Sequence, residues 1–445
     1  MGLKAGKVML LVGLSLAGAA RLGAQQTVPR RLTLRDAIEL ALKQNLSVRV
    51  ANTQAEELEG TRERRRAFLL PHVNGTALVN YQNIDLAAMG ITFPNVPKVV
   101  GPFGTYDFRA SATQSVIDRR SYHNWRASEK QEEAAHLDYQ DQRDLVIRQT
   151  AGLYLDAQAA SAEVEAAGSR VTTSQTLEKL ARDQHVQGLA TAVDEVRAQV
   201  QLARDQQNLL VARNTYESSL LVLARFLGLS PGTPLELAEA LHFHHAESTD
   251  PDQALPNAVA ARPDYAALLK QQESLAEQLK AVRARNLPTL SVNGNYGAIA
   301  GAGTSFAGTG QIAGTLTYTF YDRDRAGEKT EIQSRLERVN LQIDDLKREI
   351  EQELRKAVLD LESSENQVTV TEAALHLAER ELSLAQDRFR NGVTDNIEVV
   401  NAQATLASAQ DDRIMALARH ADAIMALARS LGGTEKTYQS YLGEP

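Results

Sequence analysis

Four carboxylates lie just beyond two glycines of this chain: Asp194 and Glu195 after Gly188, and Asp395 and Glu398 after Gly392. Acids just behind a helix-breaking glycine have two uses. In a closed ring of copies they would face one narrow aperture, favouring cations and slowing anions. Alternatively they cap and solvate the first turn of a returning helix, where negative charge suits the dipole. Residue type and spacing leave both readings open. The other conspicuous group is LHFHHAESTD (241–250), which sets His242, His244 and His245 near Glu247 and Asp250. Histidines clustered in a loop are more often solvated than metal-bound, so no metal and no cofactor is expected. No nucleophile–base constellation, phosphate loop or H-E-x-x-H helix occurs, and an enzyme is not expected. The chain has no cysteine, which excludes disulfides and thiolate metal sites, and its net charge of −8 gives no sign of nucleic-acid binding.

The elements that position these acids are duplicated. Asp118 pairs with Asp322, Gly188 with Gly392 and Gly228 with Gly432, always 204 positions apart; GLATAVDEVRAQ (188–199) matches GVTDNIEVVNAQ (392–403) without a gap. An inserted residue would rotate everything beyond it by about 100°, so fixed length is the mark of helical hairpins that must stack side by side. From Asp118 or Asp322 to each glycine there is no proline, and Ile332, Leu336, Val339, Ile343, Leu346 and Ile350 alternate spacings of four and three, a coiled-coil seam. Helices of about 70 residues reach roughly 100 Å. Asp118 and Asp322 are well placed to cap them. The return path reads as two shorter helices end to end, 188–228 and 262–288. An irregular belt (229–261) is expected between them at mid-height. The segment from Asn45 to Pro71 is expected to complete the second copy, against the same chain or a neighbour. Gly188 and Gly392 permit the hairpin turns, with Leu189 and Val393 as exposed apolar contacts for a partner.

Before each hairpin lies an uncharged pair of strands. Residues 286–321 contain no Asp, Glu, Lys or Arg, although 23% of the chain is charged. Ile312, Gly314, Leu316, Tyr318 and Phe320 alternate with Ala313, Thr315, Thr317 and Thr319, and the first copy repeats the pattern with Val73, Ala77, Val79 and Tyr81. Period two over about ten residues, apolar on one face and polar on the other, fits the strands of a membrane barrel, and equally describes an amphipathic hairpin covering a soluble core; the long helices beside it favour the barrel. Four strands cannot close, and open edges are not tolerated in hydrocarbon, so the chain must oligomerise. Pro71 to Asp118 exceeds Pro288 to Asp322 by 13 residues, which predicts a longer outward loop in the first hairpin. Arg64, Arg65, Arg66, Arg119, Arg120, Arg283, Arg285, Arg323 and Arg325 gather at the strand–helix junctions. There they could meet lipid phosphates or act as solvated helix ends paired with acids. Residues 1–24, with Lys4, Lys7, an apolar run from Val8 to Leu16 and small residues beyond, read as a secretory signal.

Taken together, the opening LTLRDAIELALKQN (32–45), the strand starts at Pro71 and Pro288, RPD at 262–264 and the two tip motifs GLATAVDEVRAQ and RFRNGVTDNIEVVNAQ (388–403) resemble the TolC-like outer membrane efflux proteins. The likeness covers nearly all of the chain after the signal. It implies a homotrimer, mainly α with membrane β, in which a twelve-stranded barrel sits on an α-helical periplasmic tunnel. It further implies a periplasmic adaptor and an inner-membrane pump as partners. Leu46 stands where the family often has proline, which leaves the start of that helix less defined. The expected division is a signal at 1–24, repeats at 25–228 and 262–432 around the 229–261 belt, and a tail at 433–445. The expected function is an outer-membrane exit duct of a tripartite efflux or type I secretion system. In that duct Asp194, Glu195, Asp395 and Glu398 are the constriction, Gly188, Leu189, Gly392 and Val393 the adaptor-docking tips, and Arg66, Arg119, Arg120, Arg285 and Arg323 the lipid-interface candidates. The alternative is a soluble periplasmic coiled-coil adaptor or structural protein. A duct's sequence does not name its cargo.

Overall fold

The computed structural model describes residues 30–435 apart from 93, 95, 248, 302, 392 and 395. The signal segment, most of the tail, Gly392 and Asp395 therefore lie outside the described residues. In chain order the elements are β1 (Arg30–Leu32), α1 (Leu34–Gln44), α2 (Leu46–Ala67), β2 (His72–Asp85), β3 (Val99–Ile117), α3 (Arg119–Val186) and α4 (Ala192–Phe226). They continue with β4 (Leu235–Leu237), α5 (Pro251–Ala261), α6 (Pro263–Ala284), β5 (Thr289–Gly301), β6 (Ala307–Thr317), α7 (Asp324–Arg390) and α8 (Asn396–Ser430).

The two long helices have 68 and 67 residues, and each is followed by a 35-residue return. At about 1.5 Å per residue the long helices span some 100 Å. On α7 the seam is buried at Ile332, Val339, Ile343, Ile350, Leu354, Leu361 and Val368. Spacings of seven and four keep one stripe facing its neighbours. Helix α4 packs on the tip half of α3 and α8 on that of α7. Nearer the sheet α6 lies between α3 and α7, and α2 packs on α3. The segment expected to complete the second copy thus meets α3 within its own chain.

The 229–261 segment is more ordered than the sequence suggested. It carries β4, which pairs in parallel with β1 (Leu32 opposite Leu237), and α5. Helix α5 is the counterpart of α1: both have 11 residues, and they begin 217 positions apart, as do the 22-residue helices α2 and α6. Each short helix seats on its long partner. Ile38 and Ala41 pack with Ile147 and Tyr154 of α3, whereas Ala258 packs with Leu354, Ala357 and Leu361 of α7. The offset falls from 217 to 204 across the first sheet hairpin, where the β2–β3 loop, residues 86–98, is longer than the β5–β6 loop, residues 302–306, as expected, and β2 and β3 (14 and 19 residues) are longer than β5 and β6 (13 and 11).

Mid-height joints are tightly fitted. Gly228 and Gly432 end α4 and α8 with φ of 76° and 82°. A Cβ on Gly228 would lie 2.8 Å from the Gln44 carbonyl oxygen, and one on Gly432 would lie 2.9 Å from Ala261 Cβ. The α1–α2 joint is well defined despite the missing proline. Asn45 accepts from the Ser47 N–H at 2.8 Å, capping α2, and donates to the Phe226 carbonyl at 2.8 Å. At the equivalent α5–α6 joint stands Arg262, only 4% exposed, paired with Asp264 of α6 and Glu353 of α7. Arg429 of α8 joins the same cluster through Asp141 of α3, at 2.5 Å, and Asp264, at 3.7 Å.

Strands β2-β3-β5-β6 form one antiparallel sheet in that order. Pairings His72–Thr113, Ser115–Ser291 and Thr289–Thr317 bring all four strand–helix junctions to nearly one level. Val73, Tyr81, Tyr296, Ile312 and Leu316 are exposed, as lipid-facing residues of a single chain must be. On the polar face Asp107 and Arg109 pair at 2.7 Å, and Arg109 donates to Asn295 on β5. Asp118 caps α3 as expected, accepting from the Ser121 N–H at 2.9 Å. Asp322 does not cap α7, which begins two residues later behind Arg323 and has no side-chain cap. It pairs instead with Arg285.

Replacing Arg262 by Ala strands the Asp264 carboxylate in a largely buried joint and releases the exposed Glu353 from it. The variant is expected to lose about 3–5 kcal/mol of stability, read as a lowered midpoint of helical unfolding in detergent. An unchanged midpoint would show that the joint does not depend on this pairing.

Candidate functional site

The far ends of the hairpins hold the acids and apolar residues that drew attention in the sequence. Helix α3 closes at Gly188, where φ is 76°. The N–H groups of Gly188 and Leu189 donate to His185 and Gln184 carbonyls at 2.9 and 2.8 Å, a glycine-permitted C-cap. Thr191 then starts α4 with a capping box: its hydroxyl receives the Asp194 N–H, while the Asp194 carboxylate receives the Thr191 N–H at 3.1 Å and its hydroxyl at 2.6 Å. At the second tip the Val393 N–H donates to the Arg388 carbonyl at 2.9 Å, and the Asn391 side chain donates to that of Asp387.

The two tips are tied into one body. Asn396, 2% exposed, donates to the Asp194 backbone carbonyl at 3.0 Å, and Gln184 donates to that of Phe389. Beneath these bonds Leu177, Ala181, Ala198, Leu382, Ala385, Phe389, Val399 and Ala402 form a shared core drawn from all four helices.

Within this body the acids have different situations. Asp194 is buried, with Arg197 at 3.7 Å. Burial opposes its charge, but the Thr191 hydroxyl, the backbone N–H groups of Thr191 and Asn396, and Arg197 outweigh it and hold the carboxyl below the ordinary range. Glu195 contacts His185 Nδ1 at 2.6 Å and accepts from Gln199 at 3.2 Å. Glu398 pairs across the second turn with Arg388 at 3.3 Å. Glu195 and Glu398 thus stay near the surface, and Asp194 is committed to the cap.

Leu189 and Val393 are exposed at 72% and 66%. Beside them runs a groove of about 490 Å³ lined by Val193, Val196, Val200, Ile397 and Val400, with Arg197 and Arg204 at its edges. The sequence reading missed this groove. Its signal was present, because Val193 and Val196 recur as Ile397 and Val400 at the 204-residue offset.

The histidines of the 241–250 stretch do not come together around an ion. His245 pairs with Glu365 at 2.8 Å, and the His244 carbonyl meets His420 Nε2 at 2.7 Å, with Phe243 stacked on the His420 ring. This strap fastens the belt to α7 and α8. No group of three or more potential ligand residues with metal-binding geometry occurs among the described residues. Among the junction arginines, Arg285 is bound to Asp322, Asp324 and Glu328, which withdraws it from the lipid-facing set. Arg120 lies 4.0 Å from Glu328.

Comparisons with known proteins agree with this architecture. The sequence profile described as "Outer membrane efflux protein" matches residues 37–229 and 254–433. The pyoverdine export outer membrane protein OpmQ of Pseudomonas aeruginosa is 24% identical over 298 residues, covering 64% of this chain and 60% of its own length. The fold is shared with Campylobacter jejuni CmeC, an outer membrane channel (TM-score 0.80, 16% identity, 92% of this chain and 89% of that one). It is also shared with the outer membrane protein VceC of Vibrio cholerae (0.79, 18%, 90% and 96%) and the outer-membrane channel OprN (0.78, 19%, 90% of each). With the profile covering both repeats from α1 to the end of α8, the chain belongs to the outer membrane efflux protein family.

Proposed function

We propose that this chain is the exit duct of a tripartite export system: a homotrimer whose sheets close a twelve-stranded barrel in the outer membrane and whose helices form a tunnel through the periplasm. The observation that carries the reading is the union, in one chain, of an edge-open sheet with exposed apolar residues and two tip-locked helical hairpins about 100 Å long. The sheet needs further copies because β2 and β6 each leave an unpaired edge that hydrocarbon does not tolerate. A soluble adaptor has no use for such a surface. The chemistry is that of a passage with a gate and no catalytic step.

In the proposed trimer the tips form the periplasmic aperture, and their exposed apolar residues receive the hairpins of a periplasmic adaptor, itself coupled to an inner-membrane pump. Gly188 and Gly392 serve as turns. Leu189 and Val393 supply the contact, and the Val193–Val196–Val200 groove extends it. Of the four acids, Glu195, Glu398 and Asp395 are the proposed cation-favouring charges, while Asp194 contributes by holding the turn. OpmQ is described as exporting pyoverdine; the polar tunnel wall proposed here leaves choice of cargo to the pump.

Two experiments test this reading. In planar bilayers the purified protein is expected to conduct, and E195A/E398A to lose a several-fold preference for cations, whereas D194A keeps the preference and loses about 1 kcal/mol of stability with its cap. Unchanged selectivity in the double variant would remove the acids from the filter. Recovery of the wild type in soluble periplasm without detergent would end the duct reading altogether. For docking, L189D and V393D are expected to abolish tip crosslinking to an adaptor while leaving trimer and conductance intact. Crosslinking at wild-type yield would place the contact elsewhere.

A further inference from the structure

Four arginines sit at the strand–helix level in two equivalent pairs. Arg66 and Arg283, 217 positions apart, close α2 and α6. Arg119 and Arg323, 204 apart, open α3 and α7. All four are exposed. Arg119, Arg283 and Arg323 have no acidic partner among the described residues, and the nearest to Arg66 is Glu63, at 3.9 Å. The acids at this level are otherwise engaged, Asp118 in its cap and Asp322, Asp324 and Glu328 on Arg285. Helix electrostatics explains Arg66 and Arg283, since cations suit a C-terminus. It argues against Arg119 and Arg323, which place positive charge at the positive end of α3 and α7. Both copies nevertheless carry the unfavourable arginine.

The same level carries exposed amphipathic and apolar side chains: Phe68 (54%), Tyr122 (46%), Leu287 (45%), Phe320 (90%) and Tyr321 (81%). Immediately above them lie the exposed apolar residues Val73 and Leu316, and immediately below them the polar helices begin. Aromatic rings and exposed arginines at one level, three of the four without an acidic partner among the described residues, fit the headgroup zone of a bilayer, rings at the acyl boundary and guanidinium groups on phosphate.

We propose that Arg66, Arg119, Arg283 and Arg323 form a collar that binds phospholipid phosphate in the inner leaflet of the outer membrane and fixes the depth of the barrel. The proposal rests on the barrel reading. The junctions lie at the end of the sheet from which the long helices run, and the long 86–98 loop lies at the opposite end, so the collar faces the periplasmic leaflet, where the anions on offer are phospholipid headgroups. The interaction offsets the dipole penalty at α3 and α7.

The test uses the full-length protein in detergent, wild type against R66Q/R119Q/R283Q/R323Q, with phosphatidylglycerol retention measured by native mass spectrometry and unfolding temperature measured with the lipid added. The expected result is lipid-dependent stabilisation in the wild type and about fivefold weaker retention for each arginine removed. Equal retention by wild type and variant would overturn the collar. So would stabilisation of the wild type by inorganic phosphate equal to that by lipid, which would mark a simple anion effect. If the fourfold variant does not assemble, R119Q/R323Q carries the same test, and R119K/R323K should keep most of the retention. Recovery in the outer-membrane fraction is measured on the same samples. A wild type absent from that fraction counts against the duct, whereas one present there with unchanged lipid retention counts against the collar alone.

Discussion

Helix register is the constraint on which the rest of this structure depends. A helix that meets its neighbours along about 100 Å must present apolar residues to them over the whole length, and one added residue turns everything beyond it by about 100°. That is why α4 and α8 have 35 residues each, α2 and α6 have 22 each and α1 and α5 have 11 each. The copies differ in length chiefly where a strand returns to its neighbour through open loop, at 86–98 against 302–306. A barrel loop can absorb eight extra residues without moving a packed side chain; a seam such as Ile332–Val368 cannot absorb one.

Equal lengths alone do not keep the copies level, because each return path is broken at mid-height. The breaks are held by different chemistry at equivalent places. In the first copy Asn45 caps α2 and binds the Phe226 carbonyl, a neutral joint completed by Gly228 against the Gln44 carbonyl. In the second, Arg262 ties α6 to α7 through Asp264 and Glu353, and Arg429 extends the cluster to α3. Buried charge is stable only when each group has its partner, so the second joint depends on several side chains at once. Both solutions meet the same requirement, which is to stack two short helices end to end beside one long one.

How far the sequence carried the fold follows from which forces act locally. The strands, the long helices, the Gly188 turn and the longer first loop were legible, since period two, heptad spacing and a proline-free run are properties of the chain itself. The Asp118 cap was legible for the same reason, because it involves only Ser121. The same reasoning failed at Asp322, where a residue from another element, Arg285, competed for the carboxylate. Helix α5 was hidden because α1 and α5 share little beyond a few seated positions, Ala37, Ile38 and Ala41 answering Ala254, Leu255 and Ala258. With Pro256 inside it and histidines before it, that stretch reads as a loop until α7 is there to bury Ala258.

The tip shows how structural demand limits what a conspicuous residue is free to do. Asp194 was one of four acids read as a possible constriction, yet α4 cannot begin after a glycine turn without satisfying its first N–H groups, and Asp194 is consumed in that task. Glu195 and Glu398 are held by basic partners on the helix before each turn, Glu195 by His185 and Arg182 and Glu398 by Arg388. Meanwhile Asn396 and Gln184 bind one tip to the other through backbone carbonyls, over a common apolar core. Bending a single hairpin away would break both bonds and open that core to water. In the proposed ring, therefore, the soft boundary lies between protomers, where Val193, Val196 and Leu189 are exposed, and widening the aperture moves each tip pair as one rigid unit.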